Sequence, residues 1–178
     1  IGIIMGGYWA YETLNFGGYW KWDPVENGSL VPWIVGIASL HSLLLYQRSK
    51  GSLKTSMALV ILTFFLVLYA TFLTRSGILG DTSVHTFTDL GLSGQLILLV
   101  AIYFIGSTLA MGWRWNAIPS EGKESTFFSA DTMLFVGMLV LIFSSAAISL
   151  TTSLPVINKI FGSSVAPPAE IQFFYYKW

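Results

Sequence analysis

Apolar residues in this chain gather into long unbroken runs, and polar residues are confined to the gaps between them. Four runs, residues 30–46, 56–73, 94–112 and 132–150, match the length at which an α-helix rising 1.5 Å per residue crosses a hydrocarbon layer of roughly 30 Å. A fifth run, 1–10, is too short to cross. With no initiator Met before it, it reads as the end of a helix that begins upstream, and the chain as a fragment of a longer protein. The pattern predicts an all-α fold: a polytopic transmembrane helical bundle with four complete spanning helices plus the end of a fifth.

Composition agrees with the pattern. Hydrophobic residues make up 54% of the chain and charged residues 10%, outside the soluble globular range. Lys and Arg in the connections set the expected orientation. Arg48, Lys50 and Lys54 crowd one connection, while Arg114 and Lys123 occupy another, so both belong on the cytoplasmic side. The tract 117–125 is polar and reads as a loop. The segment 16–33, the connection 75–92 and the tail from Thr151 would then lie on the opposite, periplasmic side. They hold Lys21, Arg75, Lys159 and Lys177, so the orientation rests on clustering near helix ends rather than on totals. Formal net charge is zero and no polybasic stretch occurs, which points away from nucleic acid. There are no cysteines, so any thiol chemistry must come from a partner. No phosphate-binding glycine loop, nucleophile elbow or paired metal-spaced histidines are present.

The densest chemistry lies between Phe16 and Trp33. Phe16, Tyr19, Trp20, Trp22 and Trp33 accompany the carboxylates Asp23 and Glu26 where the chain meets the membrane. Asp23, Pro24 and Glu26 have the order of a helix start: an Asp N-cap, Pro at the first helical position, and Glu placed to reach back. The rings before Asp23 would then sit on a turn held by Gly17 and Gly18, above a helix that tolerates Pro32 in its first turns. Two readings of the rings stand: an interfacial aromatic belt, or a platform for a flat apolar ligand with polar edges.

Two histidines bear on that choice. His41 lies about 13 Å below Pro32 on a helix, near mid-membrane, where an ionisable residue is expensive and often functional. It is either a hydrogen-bonded structural group or an iron ligand. His85 sits in the polar connection after Arg75, on the same side as the rings, and is either a solvated loop residue or an axial ligand. The depths of His41 and His85 imply two sites, or one site and one bystander. Arg75 ends a spanning helix, where it can snorkel or pair with a carboxylate of a ligand.

The run Trp20-x-Trp22-Asp23-Pro24-x-Glu26-Asn27-x-Ser29-x-x-Pro32-Trp33, then His41, Thr74-Arg75-Ser76-Gly77 and Ser83-Val84-His85-x-Phe87, resembles the haem-lyase family of bacterial cytochrome c maturation, with its nitrite-reductase-associated branch. Related haem-handling families share the tryptophan-rich loop, but the continuation beyond Asp23 is similar to the lyase branch. Two positions depart from the family's usual pattern: Phe16 stands for Trp and Gly28 for Ala. The connection to His85 also holds the extra residues Gly80-Asp81-Thr82.

The resemblance implies residues 1–92 as a truncated tryptophan-rich core and 93–178 as the start of a C-terminal membrane region. It implies haem as substrate, held by Phe16, Tyr19, Trp20, Trp22, Trp33 and His85, with Asp23 and Glu26 shaping the pocket and Arg75 near a propionate. His41 would ligate a resident haem b. Haem would be joined to the thiols of apocytochrome c, with a haem chaperone, thiol-handling subunits and quinol as partners, in the bacterial inner membrane. Each iron site would need a second histidine from outside this chain. A haem carrier that catalyses nothing, and a non-haem transporter with a proton-relay His41, are the other classes open to these residues.

Overall fold

A computed structural model describes residues 1–13, 19–20, 22–79, 91–119, 122, 128–163 and 165, and every structural statement refers to these. They form six α-helices in chain order: α1 (Gly2–Thr13), α2 (Pro24–Ser49), α3 (Leu53–Arg75), α4 (Ser93–Arg114), α5 (Ala130–Thr152) and α6 (Leu154–Phe161), with a 3₁₀ turn at Trp115–Ala117. No strand occurs among the described residues. Four helices, α2 to α5, are long and apolar enough to cross a membrane, so the chain is an all-α, multi-pass bundle.

Each spanning helix is longer than its apolar run, because hydroxyls and caps carry helical geometry into the polar interface. α2 begins six residues before its run, where the Asp23 carboxylate accepts a hydrogen bond from the Val25 amide at 3.0 Å and Pro24 takes the first helical position. At its other end Lys50 adopts a left-handed conformation and its amide donates to the Tyr46 carbonyl at 2.9 Å, closing the helix. α6 lies in the tail, which the apolar runs do not mark as helical. Pro155 stands in its first turn, left-handed Gly162 ends it, and the Asn158 side chain ties it to Ser163 and Val165.

α2 is the centre of the bundle, packed between α3 and α5. α2 and α3 run antiparallel in one register: Gly28 meets Ala70, Gly36 meets Thr63, and the buried Ser42 hydroxyl bonds that of Ser56 at 2.8 Å. Small residues at these crossings let two backbones approach where lipid offers no hydrophobic drive for association. Val35 and Ala38 of α2, Leu59 of α3 and Met138 of α5 form the core. α4 buries no residue and rests on α3 through rings, Tyr103 against Phe64 at 4.7 Å and Phe104 against Phe65 at 5.1 Å.

The packing places the 50–52 turn, Gly122 and the start of α5 at one end of the bundle. Arg48 pairs there with Asp131, and Gly122 lies so close to the Gly51 backbone that a Cβ on Gly122 would sit 2.7 Å from the Gly51 Cα. Arg48, Lys50, Lys54 and Arg114 therefore share an end. The start of α2, the ends of α3 and α5, and α6 share the other, where Tyr69 donates to the Ser153 hydroxyl at 2.8 Å.

Candidate haem-handling sites

At the α2 start, local chemistry shapes the aromatic turn. Trp22 takes a left-handed backbone, φ 60°, which costs a side-chain-bearing residue about 1–2 kcal/mol. What holds it is Asn27: its amide nitrogen donates to the Trp22 carbonyl at 2.9 Å from a position only 4% exposed. Trp22 then meets Trp20 edge to face, with centroids 6.3 Å apart and planes at 87°. Tyr19 is exposed and stacks on Tyr11 of α1 at 4.2 Å, while its carbonyl lies against Gly7, where a Cβ would come within 2.8 Å. The end of α1 and the turn are thus joined.

Two buried polar atoms in this region have no hydrogen-bond partner among the described residues: Trp20 Nε1, a donor, and Asn27 Oδ1, an acceptor. A third, Thr152 Oγ1, lies deeper. It lines a cavity of about 10 Å³ with Gly28 and Pro32, where Pro32 has no N–H to give the Gly28 carbonyl.

The turn brings Tyr19, Trp20, Trp22, Asp23 and Glu26 to one place. Asp23 serves as the N-cap, and Glu26 stands in the first turn, its carbonyl accepting from Ser29 Oγ at 2.8 Å. Trp33 lies about 14 Å further along α2 and is half exposed on the bundle surface. Arg75 is exposed at the end of α3, at the same end of the bundle. Phe16 and His85 lie outside the described residues. Asn27 is the site residue that sequence reasoning did not assign a role. Its signal was an Asn inside a helix's first turns, where it competes with the backbone for hydrogen bonds and is a poor helix former.

His41 stands apart from the turn, about 26 Å along α2 from Pro24. Its Nδ1 lies 2.9 Å from the Ile37 carbonyl one turn back. A carbonyl can only accept, so in the neutral ring Nδ1 carries the proton and Nε2 keeps its lone pair. The Cδ2–Nε2 edge is laid against α5 at Gly137, where an added Cβ would stand 3.3 Å from Cδ2 and 3.5 Å from Nε2. Glycine is what admits the ring there. Among the described residues no group of three or more His, Cys, Asp or Glu is placed to hold a metal ion.

The family described as Cytochrome C assembly protein matches residues 1–79. The cytochrome c-type biogenesis protein CcmF of Haemophilus influenzae is 39% identical over 164 residues, 91% of this chain and 25% of its own length. CcmF of Pseudomonas fluorescens is 40% identical over 172 residues, 94% of this chain and 26% of its own. CycK of Bradyrhizobium diazoefficiens is 39% identical over 171 residues, again 94% and 26%. This chain therefore spans about a quarter of the length of these relatives. No solved structure matches it. The match over the tryptophan-rich turn and the first spanning helices, with relatives aligned along nearly all of the rest, means that the chain belongs to the cytochrome c assembly protein family.

Proposed function

We propose that this chain is a haem-handling part of a membrane protein of cytochrome c maturation, holding haem for attachment to apocytochrome c at the end where α2 begins, and a resident haem b at His41. The observation that carries the reading is the state of His41: Nδ1 is fixed on its own helix, and the Nε2 lone pair lies against the α5 position that bears no side chain. An axial ligand needs one ring nitrogen held and the other without a hydrogen bond, and among the described residues His41 has Nδ1 held and no hydrogen bond at Nε2.

The aromatic turn supports the site at the start of α2. Trp20 and Trp22 offer apolar surface to a macrocycle, and the buried indole N–H of Trp20 is the kind of donor that a propionate satisfies. Tyr19, Phe16 and Trp33 would extend that surface, with Arg75 and His85 as further contacts. The chain has no cysteine, so the thiols that accept haem belong to the apocytochrome, and a haem chaperone and thiol-handling subunits would act beside it. A resident haem would supply one-electron chemistry drawn from quinol. The helices themselves would fix its ligand and exclude water. In this reading the membrane is the bacterial inner membrane and the turn faces the periplasm, with the Lys- and Arg-rich end in the cytoplasm.

The complete protein, purified from haem-sufficient cells, should show a b-type absorption spectrum. His41→Ala should lose the resident haem while the turn still takes up haem offered by a partner. A colourless wild-type preparation would overturn the reading, and loss of both haems together in His41→Ala would overturn its division into two sites. His85→Ala should retain haem yet leave apocytochrome c unmodified, and normal covalent cytochrome would remove His85 from the site.

A further inference from the structure

Where the first turns of α2 meet α3 and the end of α5, the three helices leave between them a cavity of about 10 Å³, enough for one water and nothing larger. Its walls are largely apolar, but Gly28, Pro32, Tyr69, Thr152 and Ser153 also line it. Two groups there lack the hydrogen bond that their helix would ordinarily supply. Carbonyls point along an α-helix toward its C-terminus, so that of Gly28 aims at residue 32, where Pro has no N–H to donate. A Pro inside a spanning helix is tolerated when something else satisfies the freed carbonyl, an ordered water included. The second group is the Thr152 hydroxyl, on a residue only 4% exposed, which has no hydrogen-bond partner among the described residues. Thr63, Thr71, Ser145 and Thr151 each donate to a carbonyl of their own helix three or four residues back. Thr152 makes no such bond and lines the cavity instead. Beside it Tyr69 donates to the Ser153 hydroxyl at 2.8 Å, which leaves the Tyr69 oxygen able to accept.

We propose that this cavity is a binding site for a single structural water, which donates to the Gly28 carbonyl and to the Tyr69 oxygen and accepts from the Thr152 hydroxyl. Three hydrogen bonds are the usual complement of a buried water. The water would stand in for the N–H that Pro32 lacks and would pin the end of α5 to the first turns of α2, next to Asn27, whose side chain holds the aromatic turn. A dry cavity would instead leave a carbonyl and a hydroxyl buried without partners inside a membrane-spanning bundle, where neither can turn to bulk solvent.

The test uses the complete protein in detergent, and the sign of one substitution decides it. Thr152→Val keeps the shape of the side chain and removes the hydroxyl. With water bound, the change strips away a hydrogen bond, and the unfolding equilibrium constant should rise about fivefold. With the cavity dry, it removes an unpartnered hydroxyl, and the constant should fall. In Pro32→Ala the Gly28 carbonyl regains an N–H of its own helix, so the water loses a partner and the penalty of Thr152→Val should shrink to about twofold or less. A density map of the complete protein, at a resolution that shows ordered waters, should carry a peak within hydrogen-bond distance of Thr152 Oγ1 and the Gly28 carbonyl, retained in Thr152→Ser and lost in Thr152→Val. A Thr152→Val protein as stable as the wild type or more so would overturn the proposal, as would a penalty unchanged by Pro32→Ala or a site without density in such a map. The map needs no variant, so the proposal stays open to refutation even if Pro32→Ala fails to assemble.

Discussion

Replacing Gly137 separates packing from ligation at His41. In Gly137→Ala the new methyl would stand 3.3 Å from Cδ2 and 3.5 Å from Nε2 of His41, so the ring or α5 must give by a few tenths of an ångström. Against that strain, Ala is favoured over Gly inside a helix by about 1 kcal/mol. The two effects oppose, and the net change in stability should stay within about 1 kcal/mol. The ring must nevertheless move. Gly137→Leu has no such balance: three further carbons against a packed imidazole should destabilise by about 1–3 kcal/mol and push the Nε2 edge away from α5. The assay is the haem content, visible spectrum and midpoint potential of the complete protein, beside its unfolding in mixed detergent. Ala should shift the potential with little change in unfolding, and Leu should lower haem content toward that of His41→Ala. Gly106→Leu on α4, where nothing lies within 4 Å, is the control and should change neither. Wild-type haem content and spectrum in folded Gly137→Leu would refute the placement of a ligand on this edge.

Asn27→Ala removes the donor that holds the Trp22 carbonyl, and with it about 1 kcal/mol of bias toward the left-handed turn. Haem uptake by the turn should weaken about fivefold and tryptophan emission should shift to the red, both measurable in one titration. The Arg48–Asp131 pair, with Arg48 more than half exposed, should give a coupling of only about 0.2–1 kcal/mol in a double-mutant unfolding cycle, and exchanging the two charges should restore most of it. Ser42→Ala breaks the bond to Ser56, but Ser56 Oγ also lies 2.9 Å from the Ser52 carbonyl and can donate there. The loss should be about 0.5–1.5 kcal/mol, whereas Ser42→Leu at this fully buried crossing should fail to assemble, as read by a detergent-unfolding series.

The spanning helices were legible because a bilayer demands long apolar runs, and the α2 start was legible because Asp23 and Pro24 are local signals. Which connections share an end could be inferred from clustered cations, and the Arg48–Asp131 pair shows the bundle joining them. The apolar runs stop short of the helix ends where hydroxyl-bearing or capped turns extend the helix, and α6 escaped because eight residues carry too little periodicity to stand out. The pairing of His41 with Gly137 was not legible, since it depends on the register of two helices with two others between them in sequence. Nor was the Asn27 clamp, because a left-handed Trp is a conformation that no local rule favours.

That α5 packs on α2, rather than on the α4 that precedes it, gives the fold a history as well as a shape. During synthesis α2 and α3 can close as a hairpin at once, but the helix that covers His41 begins about 80 residues after α2 ends, a delay of roughly 4–16 s at 5–20 residues per second. Throughout that interval the edge of His41 that meets Gly137 is not covered by α5. The last of these four spanning helices to emerge is the one that meets His41, so the order of synthesis leaves that edge of the ring without its α5 neighbour until the end.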